Sequence, residues 1–476
     1  MRVNNKILFS ISNTVRTFEV LFISIFLSRF IDDKNALGEL LQIIFISSVL
    51  ITALSGLPLS LNFFYGKYDT LNEKNSLFGK FFMIIILLTL LICFLLYISA
   101  PYISLSFKNE AFADHIYVII FYYFFKSINS IFPNYHYLKN KLNIYLLLYT
   151  LSFIALLGCF LYNYASNSFI THLVLFQLLC LEFTRLIINV FIIKRKEVGF
   201  NLKDFNKQEF IYISTISLGV IFGALNLYVD KYLIAIFLDP TDFVYYQNGA
   251  INLPFVHIIT SSLFIALVPV FAELQSKNKM LELITELKDT ILKCSFFLIP
   301  ILVYCFFEAV PLIKFLYGND FEISGEVFKI YILRYSLSVI AFSVFMGSIG
   351  LEKKANFIIL LSAIICLVLN STLIPIYGIK GAAWATVIAS LSTIAVSFHF
   401  INKKLLLNVV NYFPIKKYFI IISLSIITYI PFYVINLCFE TKWFVVMASV
   451  IYYITTLAIL NSHFKMLELK KLLKHK

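Results

Sequence analysis

The sequence predicts an all-α polytopic membrane protein. Two parallel six-helix repeats would form an N-lobe and a C-lobe around a central cavity, with two extra C-terminal helices, fourteen transmembrane helices in all. Three observations carry this prediction: the apolar composition, the length of the apolar runs and a constant internal offset. Of 476 residues, 60% are hydrophobic and 14% charged, and the mean hydropathy is +0.88. A soluble domain is about 45–50% apolar and about 25% charged. A soluble core stops growing at roughly 250–300 residues. So much apolar side chain therefore needs lipid as its solvent. That excludes a soluble enzyme, a secreted disulfide scaffold and a disordered chain. Cys93, Cys159, Cys180, Cys294, Cys305, Cys366 and Cys438 lie in or beside apolar runs without C-x-x-C spacing. They read as small buried residues rather than metal ligands.

A spanning helix needs about 20 mostly apolar residues. The candidate runs are 7–29, 40–62, 78–99, 115–138, 144–165, 170–193, 209–236, 243–271, 290–317, 328–349, 356–375, 381–402, 417–438 and 443–462. They are far too long for barrel strands of about 10 residues. The first carries Arg16 and Glu19 and lacks a small-residue cleavage site, unlike a signal peptide.

Charge orients the bundle. With the N-terminus inside, 25 Lys and Arg fall in cytoplasmic segments, and five (Arg29, Lys34, Lys108, Lys380, Lys442) fall outside. This asymmetry follows the positive-inside rule and puts both termini in the cytoplasm. The net charge of +13 then belongs to the membrane surface, and the basic tail after His463 rests on anionic headgroups rather than nucleic acid.

The first half recurs in the second. ISIFLS at Ile23–Ser28 and IAIFLD at Ile234–Asp239 are offset by 211 residues, and the same shift places Glu19 on Asp230 and Pro58 on Pro269. It also carries the starts of runs three to six onto those of runs nine to twelve. Six helices is an even number, so each helix and its copy point the same way, one of the repeat arrangements of transporters. The chain divides into an N-lobe (1–193), a cytoplasmic linker (194–208), a C-lobe (209–402) and helices thirteen and fourteen with the basic tail (403–476).

Charges at membrane depth cost about 2.5–3.5 kcal/mol each on insertion scales. Lys80, Lys293, Lys314 and Lys329 lie near helix ends, where snorkelling accounts for them. Arg16, Lys126, Arg185, Lys231 and Arg334 lie deeper, with Glu19, Glu182, Asp230 and Glu308. Arg16 and Glu19 are three apart on one helix, as are Glu182 and Arg185. Such pairs either neutralise each other or couple an ion to transport. Lys126 and Arg334 have no carboxylate within a turn and are the better candidates for an anionic ligand. A cationic cavity suits phosphate, since Arg binds it with two prongs and Lys as a point charge. The helical histidines His257 and His399 read as structural. Among the helical prolines, Pro58 and Pro269 coincide under the repeat and are the expected hinges.

No Walker A loop, H-E-x-x-H or G-x-S-x-G is present. The sequence thus points to a non-enzyme without cofactor or metal.

Particular stretches carry a family likeness. LNLYVDKYLIAIFL at Leu225–Leu238 and VYYQNGAINLPF at Val244–Phe255 are two. FLYGNDF at Phe315–Phe321 and LNSTLIPIYGIKGAAWATVIA at Leu369–Ala389 are two more. The last holds Asn370, Pro375, Gly378, Gly381 and Ala382–Ala383, and residues 5–67 fit more loosely. The chain resembles the polysaccharide transporter family of the multidrug/oligosaccharidyl-lipid/polysaccharide exporter superfamily. The resemblance implies alternating access and the flipping of undecaprenyl-diphosphate-linked repeat units, of O-antigen or capsule type. It implies a bacterial inner membrane, a lipid-linked oligosaccharide substrate and membrane lipids as partners. A polymerase and a chain-length regulator of the same pathway would be further partners. It also implies that Arg16, Lys126, Arg185, Lys231 and Arg334 line the cationic cavity. A lipid II flippase and a multidrug or cation antiporter remain alternatives. A sugar polymerase is disfavoured because the longest outside loop, 100–114, is short.

Overall fold

A computed structural model describes residues 2–68, 70–166, 171–193, 207–338, 342–438 and 442–464. Every regular element among them is helical. The chain is an all-α multi-pass membrane protein. Ten helical segments among the described residues are long and apolar enough to cross a membrane. Helices are the natural answer to lipid, because each satisfies its backbone polar groups within one segment.

Two compact units divide between Val244 and Tyr245. The first holds α1 (Arg2–Phe30), α2 (Lys34–Leu54), α3 (Gly56–Lys67), α4 (Leu71–Ser106) and α5 (Glu110–Asp114). It continues with α6 (Ile116–Asn129), α7 (Phe132–Leu138), α8 (Leu142–Ala165), α9 (Thr171–Ile192) and α10 (Lys207–Phe237). The helix α11 (Pro240–Gly249) crosses the boundary. The second unit holds α12 (Pro254–Ser276), α13 (Met280–Phe307), α14 (Ala309–Tyr317), α15 (Glu322–Tyr331) and α16 (Leu333–Ser338). It ends with α17 (Phe342–Ser348), α18 (Glu352–Leu405), α19 (Val409–Tyr412), α20 (Ile415–Cys438) and α21 (Lys442–Phe464). Over the described residues the predicted runs fall on helix apart from short breaks, the longest at 250–253. Several runs are broken where hydropathy shows nothing: at Ser130–Ile131, at Glu308 and at Ile332.

Local chemistry sets the helix starts. Asp33 caps α2, accepting from the Asn35 and Ala36 amides at 2.9 and 3.2 Å. Thr70 and Glu73 form a reciprocal capping box that opens α4. The predicted Pro58 bend is a true break, since α2 stops at Leu54 and α3 restarts at Gly56. Pro58 has no N–H for the Leu54 carbonyl, so one helical hydrogen bond is lost there. From α7, Asn134 Nδ2 donates to the Pro58 carbonyl at 2.8 Å and fixes the broken segment. Pro269, by contrast, sits inside α12, which continues through it.

Within the first unit, α10 lies along α2 and α3. Phe63 stacks on Tyr212 with centroids 4.3 Å apart, and the Tyr68 hydroxyl donates to Glu209. That bond and partial burial push the Tyr68 phenol up to about 12.

In the second unit α18 is a hairpin rather than one rod. Gly378 has φ 59° and ψ −142° in its midst. A Cβ on Gly381 would lie 2.2 Å from the Leu373 carbonyl oxygen. In a straight helix residues eight apart are about 12 Å apart along the axis, so the chain has turned back on itself. Asn370, Ala382 and Ala383 are fully buried at this packing. The predicted runs 356–375 and 381–402 are its two arms.

Candidate functional site

The charged residues of the first unit gather at one buried cluster. Arg185 of α9 holds Glu19 of α1 with two prongs, Nη1 to Oε1 at 3.0 Å and Nη2 to Oε2 at 3.2 Å. Its Nη1 also reaches Glu182 Oε1 at 3.3 Å, and its Nε donates to Ser152 Oγ of α8 at 2.9 Å. The guanidinium lies 3.8 Å from the Tyr149 ring centroid, a cation–π contact. Glu19, Glu182 and Arg185 are only 5%, 6% and 5% exposed. Asn129 of α6 donates to the other Glu182 oxygen at 2.8 Å. Each buried ion thus has a partner, as burial demands.

Sequence spacing pairs Arg16 with Glu19 and Arg185 with Glu182. The second pair forms. Glu19 also receives the planar fork of Arg185, which meets both its oxygens at once. Arg16, one turn away and half-buried, adds its charge to the cluster.

Lys126 reaches the cluster from α6. Its Nζ donates to the Tyr122 hydroxyl at 2.6 Å and lies 4.9 Å from that ring's centroid. Beside the cluster, α8 and α9 border a small cleft lined by Tyr145, Tyr149, Arg185 and Asn189 among apolar neighbours. Asn189 is fixed by the Arg185 carbonyl at 2.9 Å and by His136 Nε2 at 2.9 Å.

The remaining predicted residues lie elsewhere. Asp230 and Lys231 are buried on α10, where Asp230 Oδ1 accepts from the Lys231 amide at 2.8 Å. In the second unit, Arg334 of α16 donates to the Tyr331 hydroxyl at 2.7 Å and lies 5.5 Å from its ring centroid. Glu308, at the α13–α14 break, accepts from the Tyr429 hydroxyl amid Tyr304 and Tyr452. The side chain of His257 and residues 194–206 and 465–476 lie outside the described residues. No group of three metal-binding side chains occurs among the described residues.

Sequence reasoning missed Tyr122, Asn129, Ser152, Tyr149 and Asn189. Only Tyr122 left a signal, because it is four residues before Lys126 on one helix.

Comparisons with known proteins agree with this architecture. The profile of the family described as "Polysaccharide biosynthesis protein" matches residues 68–326. No curated protein matches the sequence. Among solved structures, the lipid II flippase MurJ in an inward closed conformation superposes with a TM-score of 0.70 at 18% identity, covering 96% of this chain and 98% of its own. An inward-facing multidrug resistance MATE family transporter of the MOP superfamily gives 0.60 at 11%, covering 82% and 95%. A MOP superfamily transporter from Pyrococcus furiosus gives 0.57 at 12%, covering 84% and 94%. These identities establish a shared fold. The family profile spans more than half of the sequence, and the chain therefore belongs to the polysaccharide biosynthesis protein family.

Proposed function

We propose that the protein flips undecaprenyl-diphosphate-linked oligosaccharide repeat units, of O-antigen or capsule type, from the cytoplasmic to the outer leaflet of the bacterial inner membrane. The observation that carries this reading is Lys126. It is a cation at membrane depth whose described polar partner is a neutral tyrosine hydroxyl rather than a carboxylate. Arg16, Lys231 and Arg334 extend the cationic set, and Arg185 lies in the same cluster as Lys126. A charge costly to insert is kept for work, and a lysine whose described hydrogen bond goes to a phenol has further N–H groups to offer a phosphate oxygen.

The family and the fold support a transporter of lipid-linked glycans, working by alternating access without enzymatic chemistry. In this reading the six-helix lobes are 1–193 and 209–402, joined by the linker 194–208. Both termini lie in the cytoplasm, as the charge asymmetry argues. Pathway partners would be a polymerase and a chain-length regulator. The likeness to the lipid II flippase keeps peptidoglycan precursor as a second substrate of the same chemistry, a diphosphate-linked sugar on a polyprenol. Deleting the gene and identifying the lipid-linked glycan that accumulates on the cytoplasmic leaflet tests the proposal. A deletion strain with no such accumulation and normal surface glycan would refute it.

A further inference from the structure

We propose that His115 and His172 form a binding site for a zinc-like divalent cation, with one imidazole from each of two neighbouring helices. His115 immediately precedes α6, and His172 is the second residue of α9. Their rings lie with centroids 5.0 Å apart and planes tilted by 55°. Among the described residues, neither ring takes part in a hydrogen bond or an ion pair. Each neutral imidazole therefore has a nitrogen lone pair unspent, the atom that binds a metal.

Spacing is the core of the argument. Zinc holds an imidazole nitrogen at about 2.0–2.1 Å and takes tetrahedral angles. Each ring centroid then stands about 3.2 Å from the metal, and two rings at the tetrahedral angle have centroids roughly 5.2 Å apart. The observed 5.0 Å agrees within a few tenths of an ångström. Two residues far apart in sequence are thus already held at the separation a shared ion would set. The 55° tilt is not the parallel arrangement of stacked rings.

The setting also suits a cation. The helices α6 and α9 run side by side in one direction, since Asn129 of α6 donates to Glu182 of α9 at 2.8 Å farther along. Both histidines therefore lie at one face of the membrane, the outer face by the charge asymmetry. His115 is half-buried and His172 exposed, so an ion arriving from water reaches both. Asp114, exposed beside His115, adds a negative charge that is felt at Glu39 together with those of Asp33 and Glu110. The nearest basic loop residue, Lys108, is engaged with Asp239 at 2.7 Å. Water completes the coordination. Imidazole selects zinc and its late transition-metal neighbours, whereas calcium and magnesium take oxygen ligands. A bound ion would tie together the outer ends of the two helices that carry Lys126 and Arg185.

The test is calorimetric titration of Zn2+ into the purified full-length protein in detergent, after removal of any polyhistidine tag and treatment with a chelator. The expected result is a zinc site that His115→Ala and His172→Ala each weaken at least about tenfold, the loss that removing even an outer-shell partner of a metal ligand causes. His399→Ala, on α18, is the control and should bind as the wild type does. Zinc should also raise the melting temperature of the wild type and of the control, and not of either alanine variant at the same concentration. A wild type that binds no zinc overturns the proposal. So do two alanine variants that bind as tightly as the wild type, since the ion then sits elsewhere. Melting without zinc checks the fold of each variant, and if one melts early the other decides. Neither histidine belongs to the cationic set assigned to the substrate, so failure here leaves the flippase reading untouched.

Discussion

Lys126 donates to the hydroxyl of Tyr122, one turn earlier on α6, at 2.6 Å. In the second unit Arg334 donates to the hydroxyl of Tyr331, three residues earlier, at 2.7 Å. Both cations also lie near the face of the same ring, 4.9 and 5.5 Å from its centroid. Under the offset of 211, Lys126 falls three residues from Arg334, one turn away. The same device, a cation parked on a phenol, thus recurs at nearby positions of the two halves of the sequence.

Replacing Lys126 by alanine removes the charge and leaves the Tyr122 phenol it bonds neutral, and Arg334→Ala removes the second cation. Lys126→Ala and Arg334→Ala should therefore abolish surface glycan at normal protein level. Glycan staining and immunoblotting of membranes check this. Wild-type glycan in both variants would remove the pair from the mechanism.

Arg185 behaves differently, since two buried carboxylates depend on it. Removing one partner of a buried ion pair costs about 3–5 kcal/mol, because the survivor keeps its desolvation penalty. Arg185→Ala should lower thermal stability in detergent sharply. Adding Glu19→Gln should restore part of the loss, as one stranded charge is then gone. A double variant no more stable than the single one would contradict the bidentate pairing.

Helices were legible in the sequence because lipid leaves the chain one local solution, a run of apolar residues long enough to span. The breaks were not. The interruptions after Asn129 and at Ile332 fall inside single predicted runs, and hydropathy is blind to a change in backbone angle. Arg185 and Glu182 were paired correctly because three residues on one helix are adjacent in any fold. Its second partner, Glu19, lies 166 residues away, a distance that only packing closes. Local spacing offered Arg16 for Glu19 because it could offer nothing farther. Asn134, which secures the Pro58 carbonyl from α7, left no trace in spacing.

Asp230 offers a cleaner test of charge. Its Oδ1 accepts from the Lys231 amide at 2.8 Å, and an asparagine oxygen can accept the same bond. Asp230→Asn keeps that bond while removing the charge, and should impair transport. A flux assay with and without a proton gradient separates two roles. Loss confined to the gradient-driven component assigns coupling, and equal loss in both assigns placement of Lys231. Unaltered flux under both conditions excludes Asp230 from the cycle.

The α18 hairpin predicts an ordered pair of stability losses. Gly378 has φ 59° and ψ −142°, where a Cβ costs roughly 1–3 kcal/mol, and no atom stands within 4 Å of the place a Cβ would take. Gly378→Ala should therefore lose only that conformational term. Gly381 has an ordinary helical setting, but a Cβ there would sit 2.2 Å from the Leu373 carbonyl oxygen and 3.1 Å from the Tyr377 Cβ. Backbone cannot yield as a flexible side chain can, so the two arms must part. Separating them uncovers the buried Ala382 and Ala383 and forfeits close packing, which in lipid is a main force between helices. Gly381→Leu should consequently be the more damaging change, read as a lower melting temperature and less protein in membranes. If Gly378→Ala proved worse than Gly381→Leu, strain at the turn and not contact between the arms would be what holds this segment together.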